Sequence, residues 1–156
     1  MQKEPLFHEL DLSGIRGACV ILDCDGTLAP HHTGAFGAEV LAQVAHLAEN
    51  NEVHFCSNRR DQERNRALAR ELGILYLETK LRKPNRSVAT HLAHKKILVI
   101  GDKWLTDGLF ARNIGGRFIK VRSMTASSDP YSARMQYAID RLLSPIMKRV
   151  VPCVRS

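Results

Sequence analysis

Long apolar runs are missing from this 156-residue chain. No stretch approaches the roughly 20 apolar residues that cross a bilayer, and the polar opening MQKEPLFHEL lacks a signal-peptide core. A cytoplasmic protein is the expectation. Cysteine is sparse and unpatterned. Cys19, Cys24, Cys56 and Cys153 form neither CxxC pairs nor zinc-type spacing, which predicts reduced, structural thiols. Aromatic residues make up only 6% of the chain, too few for a base-stacking platform. RNA-binding signatures, C2H2 spacing and helix-turn-helix patterns are absent as well, so no specific nucleic-acid partner is expected. Internal repeats and low-complexity linkers are also lacking, which leaves a single domain over residues 1–156.

What the chain does hold is ordinary core material and an excess of positive charge. Hydrophobic residues reach 44%, charged residues 25%, and the net charge is +7. Such a balance favours anionic partners: phosphorylated metabolites, nucleic acid or an anionic membrane surface.

Short runs rich in Val, Ile and Leu recur along the sequence. They are ACVILD (18–23), VHFCS (53–57), ILYL (74–77), ILVIGD (97–102) and RFIKV (117–121). Helical spacing marks AEVLAQVAHLAEN (38–50) and DQERNRALARELG (61–73), the latter stopped by Gly73. Near-continuous apolar strands alternating with helices predict an α/β fold, a mainly parallel five-stranded sheet covered on both faces. A core of about 15–122 is followed by a polar loop and an amphipathic helix over about 123–151. That helix, Ser132–Val151, is expected to be interrupted at Pro145. Its basic and apolar residues suit either closure of the domain or contact with anionic lipid.

Ligands of open parallel sheets bind beyond the carboxyl ends of the strands, and four polar signatures fall there. Asp23-Cys24-Asp25-Gly26-Thr27 follows the first run, Ser57-Asn58 the second, and Lys83-Pro84 the third. Gly101-Asp102 with Thr106-Asp107 follows the fourth. Asp23 and Asp102 offer hard oxygen ligands suited to Mg²⁺. Such a cation would also relieve the mutual repulsion of crowded carboxylates. Ser57 and its neighbouring N–H groups suit phosphate oxygens, while Lys83 brings a compact positive charge. Asp23 is then placed as a nucleophile that takes the phosphoryl group. Asp25 is placed as general acid and, in a second step, as the base that activates water.

DxDGT, a Ser after a second strand, an isolated Lys and GDxxxTD, in this order, resemble the haloacid dehalogenase-like (HAD) phosphatases over about Ala18–Gly116. The resemblance implies a three-layer Rossmann-like fold and Mg²⁺ held by Asp23, the Asp25 backbone carbonyl and Asp102. It implies Asp107 as a second-shell or water-mediated group and Thr27 as an aid in positioning Asp25. Ser57, Asn58, Lys83 and Thr27 are the implied phosphate contacts. Only 33 residues lie between Asp23 and Ser57, and the interval to Lys83 is equally short, so no large cap domain is expected.

GIRGACVILDCDGTLAP, FCSNRR, LRKP and VIGDKWLTDGLFARNIGG, with Asn113 ahead of the glycines, resemble the capless YqeG-type branch. That branch includes phosphatidylglycerophosphate phosphatases. The resemblance implies a phosphorylated, lipid-borne substrate and peripheral contact with an anionic membrane. Arg59, Arg60, Arg82 and Arg86 stand near the second and third motifs and suit the extra charge of a phosphodiester. A soluble phosphosugar, nucleotide or polynucleotide end remains open as substrate, as does a phosphate-binding module without turnover. His31-His32 is read as loop rather than metal site, and His46, His54, His91 and His94 as structural or exposed. Trp104 is read as rim packing.

Overall fold

The computed structural model describes residues 4–31, 35–92, 96–127 and 129–154. His32, His94, Ser128 of the polar loop and both chain ends lie outside the described residues. Five strands form one parallel sheet: β1 (Cys19–Leu22), β2 (Glu52–Phe55), β3 (Leu75–Tyr76), β4 (Ile97–Gly101) and β5 (Arg117–Lys120). Their order is β3-β2-β1-β4-β5. The chain therefore winds outward from β1 in one direction, then restarts at β4 and winds the other way. Between β1 and β4 lies the topological switch point, where such sheets open a crevice.

Alternation along the strands explains the three layers. Val20, Leu22, Leu98, Ile100 and Ile119 enter one core, shared with α1 (Ala38–Ala48) and α2 (Gln62–Leu72). Ile21, Val99 and Phe118 face the other way, toward α3 (Leu109–Asn113) and α4 (Tyr131–Val150). The α/β class, the Rossmann-like layering and the absence of a large cap agree with the sequence.

Local signals set the ends of α2. The Asp61 carboxylate accepts from the Arg64 N–H at the start, and Gly73 closes the helix at φ 68°. Two expectations are corrected. The last helix runs unbroken through Pro145, because Pro145 and Arg141, whose carbonyl loses its helical partner, are both exposed to solvent. Trp104 is core rather than rim: it is 1% exposed and stacks edge-on against Phe118 at 5.2 Å. All four cysteines are free, with Cys19, Cys24 and Cys56 buried. Among the described residues no helix is long and apolar enough to cross a membrane.

Candidate active site

Asp23 leaves β1 with its N–H still paired to Ile100 of β4, so its side chain emerges at the switch point. The chain then turns tightly: the Thr27, Leu28 and Ala29 N–H groups all point at the Cys24 carbonyl. Gly26 holds φ 91° in this turn. A Cβ there would collide with the Asp102 carboxylate and lie 2.8 Å from Tyr137 Oη, so only glycine fits. From β4, Asp102 follows Gly101 directly, and a wide π-type turn (Trp104–Gly108) delivers Asp107. Gly101 lacks the side chain that would otherwise strike Asp107.

Asp23, Asp102 and Asp107, all buried, bring carboxylate oxygens within 4.8 Å of one another. Lys83 reaches between two of them, its Nζ 2.6 Å from Asp23 Oδ1 and 2.5 Å from Asp107 Oδ1. Lys103 Nζ lies 3.4 Å from Asp102 Oδ1, and Ser123 donates to the other Asp102 oxygen at 2.8 Å. Thr27 Oγ1 donates to Asp23 Oδ2 at 2.9 Å, so this buried hydroxyl positions Asp23 rather than Asp25.

Charge orders the titration of the group. Burial alone would raise Asp23, but the ammonium groups of Lys83 and Lys103 and the hydrogen bonds from Lys83 and Thr27 carry it below the usual carboxylate range. Burial and the Asp23 charge push Asp107 up to about 6, against the pull of Lys83. Burial likewise holds Asp102 above its ordinary value, with Asp23 adding to it and Lys103 opposing. Lys83 stays protonated. Burial would lower it, yet Asp107 and Asp23 raise it well above an ordinary lysine. Three buried carboxylates form a hard, oxygen-only donor set that two ammonium groups only partly neutralise, which fits a divalent cation.

Asp25 points elsewhere. Arg64 from α2 grips it with two nitrogens, at 2.9 and 3.4 Å, while Arg59 stands 3.6 Å away and Ser57 Oγ 3.4 Å. Its carboxylate is thus outside the acidic trio. Asn58 differs from expectation too. Its amide accepts from the Lys83 N–H at 2.8 Å and donates to the Lys83 carbonyl at 3.0 Å. Asn113 holds the next carbonyl, Pro84, at 2.8 Å. These two amides fix the loop that aims Lys83.

Beside Asn58 lies a cleft of about 390 Å³ lined by Arg59, Arg60, Lys80 and Arg82. Arg86 is exposed and lies outside that lining. No motif in the sequence points to Arg64, Lys103, Ser123, Tyr137 or Asp140 in these roles. Tyr137 of α4 packs against His31 at 5.9 Å and lies under Lys103 Nζ at 5.0 Å. Asp140, one helical turn on, accepts from the Trp104 and Leu105 N–H groups at 2.5 and 3.2 Å and so caps the turn carrying Asp107.

Such a set can serve phosphoryl transfer: buried carboxylates that could hold a cation, a further carboxylate nearby and a fixed ammonium. A family model described as mitochondrial PGP phosphatase matches residues 6–124. A crystal structure of an uncharacterized protein from Listeria monocytogenes serotype 4b superposes with a TM-score of 0.55 at 15% identity. It covers 85% of this chain and 99% of its own, a likeness of fold. Curated proteins gave no match. The carboxylates, Lys83 and the matched span lead to one assignment: this chain belongs to the mitochondrial PGP phosphatase family of HAD-type phosphatases, phosphoric monoester hydrolases.

Proposed function

We propose that the chain removes the terminal phosphate of phosphatidylglycerophosphate through an aspartyl-phosphate at Asp23. The observation that carries this reading is Asp23 itself, a carboxylate held ionised between Lys83 and Thr27 at the switch point of the sheet. In the first step an Asp23 oxygen bonds to phosphorus as the bond to the leaving oxygen breaks. Asp25, oriented by Arg64, gives that oxygen its proton, and the alcohol departs. In the second step the Asp25 carboxylate takes a proton from water. The resulting hydroxide attacks phosphorus, the Asp23–phosphorus link breaks, and inorganic phosphate leaves.

Asp23 and Asp102 would hold Mg²⁺, with the Asp25 backbone carbonyl as further ligand and Asp107 at hand. When bound, that ion supplies charge neutralisation on the phosphoryl oxygens. On this reading Lys83 and Ser57 are the side chains that meet the phosphate. Arg59, Arg60 and Arg82 supply the cleft for the phosphodiester that this lipid carries beside its phosphomonoester.

Phosphate release from phosphatidylglycerophosphate in mixed micelles, set against a panel of soluble monoesters, tests the substrate. Strong preference for the lipid is expected. Equal turnover of a soluble compound would overturn the lipid assignment while leaving the chemistry at Asp23 intact.

A further inference from the structure

Helix α4 lies beyond the family match and presents an unusual outer face. Tyr131, Met135, Ile139, Leu142, Ile146 and Val150 recur every three or four residues and so form one stripe along the helix. All six are exposed, Tyr131 at 82%, Leu142 at 78% and Ile146 at 60%. Ala133, Asp140 and Met147, spaced by seven, form the buried side. A third row has the same spacing: Arg134, Arg141 and Lys148, each exposed. At about 100° per residue this basic row runs between the apolar stripe and the edge that carries Tyr137.

We infer that α4 is a docking surface for an anionic lipid bilayer. An apolar stripe beside a parallel cationic row is the pattern of a helix that lies in the membrane interface, its aliphatic side chains among the acyl chains and its cations on the headgroups. A second copy of the chain is a poorer occupant, because antiparallel pairing of two such faces brings two cationic rows together and neither antiparallel nor parallel pairing supplies them with counter-charge. The net charge of +7 favours the same anionic surface. The inference goes beyond the substrate reading and does not require it.

Docking through α4 also sets where the site stands. Tyr137 Oη sits beside Gly26, and Asp140 caps the turn that bears Asp107. The acidic trio is therefore braced directly on the side of α4 that faces away from the stripe.

Sedimentation with vesicles tests the inference. The probes are phosphatidylcholine vesicles with and without phosphatidylglycerol, applied to the full chain and to two variants. One variant is Leu142→Asp with Ile146→Asp; the other is Arg141→Gln with Lys148→Gln. The wild-type chain is expected to pellet with the anionic vesicles only, and less so in high salt. Each cation removed should weaken partitioning about fivefold, and the double Asp variant should stay in the supernatant. All four positions are exposed, so hydrolysis of a soluble monoester should be unchanged and confirms folding. Equal pelleting of wild type and the double Asp variant would overturn the inference. So would binding indifferent to phosphatidylglycerol, or a wild-type dimer in ultracentrifugation that the double Asp variant abolishes without any vesicle binding.

Discussion

Arg64 Nη2 stands 2.9 Å from Asp25 Oδ1, and its companion nitrogen 3.4 Å from the other oxygen of the same carboxylate. The fork fixes the direction of the carboxylate that we propose handles the proton in both steps. Arg64→Ala is expected to lower kcat by about ten- to hundredfold, as befits the loss of a charge-assisted hydrogen bond. Arg64→Lys should recover only part of this, since one ammonium cannot reproduce a two-pronged contact. Steady-state kinetics on a soluble monoester would check both.

Lys83 links Asp23 to Asp107 in a wholly buried bridge, its side chain 1% exposed. Lys83→Met leaves those carboxylates facing each other without compensation. A loss of about 3–5 kcal/mol in stability is expected in chelator, together with loss of activity. Urea unfolding gives the first number directly.

Binding of Mg²⁺ should stabilise the folded chain by about 2.7 kcal/mol at a hundredfold excess over its dissociation constant. Asp102→Asn should abolish most of that gain, because Asp102 is one of the three carboxylates gathered at the site. Thermal melts in Mg²⁺ and in EDTA provide the comparison. An unchanged gain in the variant would place the ion elsewhere.

Asn58 separates positioning from phosphate contact. If its main task is to hold both backbone groups of Lys83, Asn58→Ala costs about 1–3 kcal/mol in stability and depresses kcat more than it raises KM. A rise in KM alone would instead mark a direct phosphate contact.

Burial pushes the Cys56 and Cys19 thiols up to about 11, and carries Cys24 higher still with help from the Asp25 and Asp23 charges. Thiolate forms only as pH approaches those values, so at pH 8 about a thousandth of Cys56 is reactive. The native chain should resist iodoacetamide at pH 8, with the half-buried Cys153 labelled first. Unfolding in urea should expose all four cysteines to the reagent.

Much of the fold was legible because Val, Ile and Leu runs end on Gly, Asp, Ser and Lys, and a parallel sheet collects those ends on one rim. Asp23, Asp102 and Asp107 could be placed together from this alone. Arg64 could not, since it meets Asp25 across 39 residues and sits on a helix whose outward pattern resembles any solvated basic face. Lys103 and Ser123 are hidden for the same reason: single polar residues whose direction is decided by packing. The motif resemblance points Thr27 toward Asp25, yet the tight turn at Gly26 swings its hydroxyl back onto Asp23. Pro145 predicts a break, and would make one inside a core; on the exposed side of α4 the Arg141 carbonyl it frees is open to solvent.

The nucleophilic role of Asp23 is tested most directly by the stereochemical course at phosphorus. A phosphomonoester made chiral with sulfur and oxygen isotopes is hydrolysed by the wild-type chain in isotopically labelled water, and the configuration of the released thiophosphate is read. Two in-line displacements, through Asp23 and then water, predict net retention. Net inversion would mean that water attacks the substrate directly and would contradict the account.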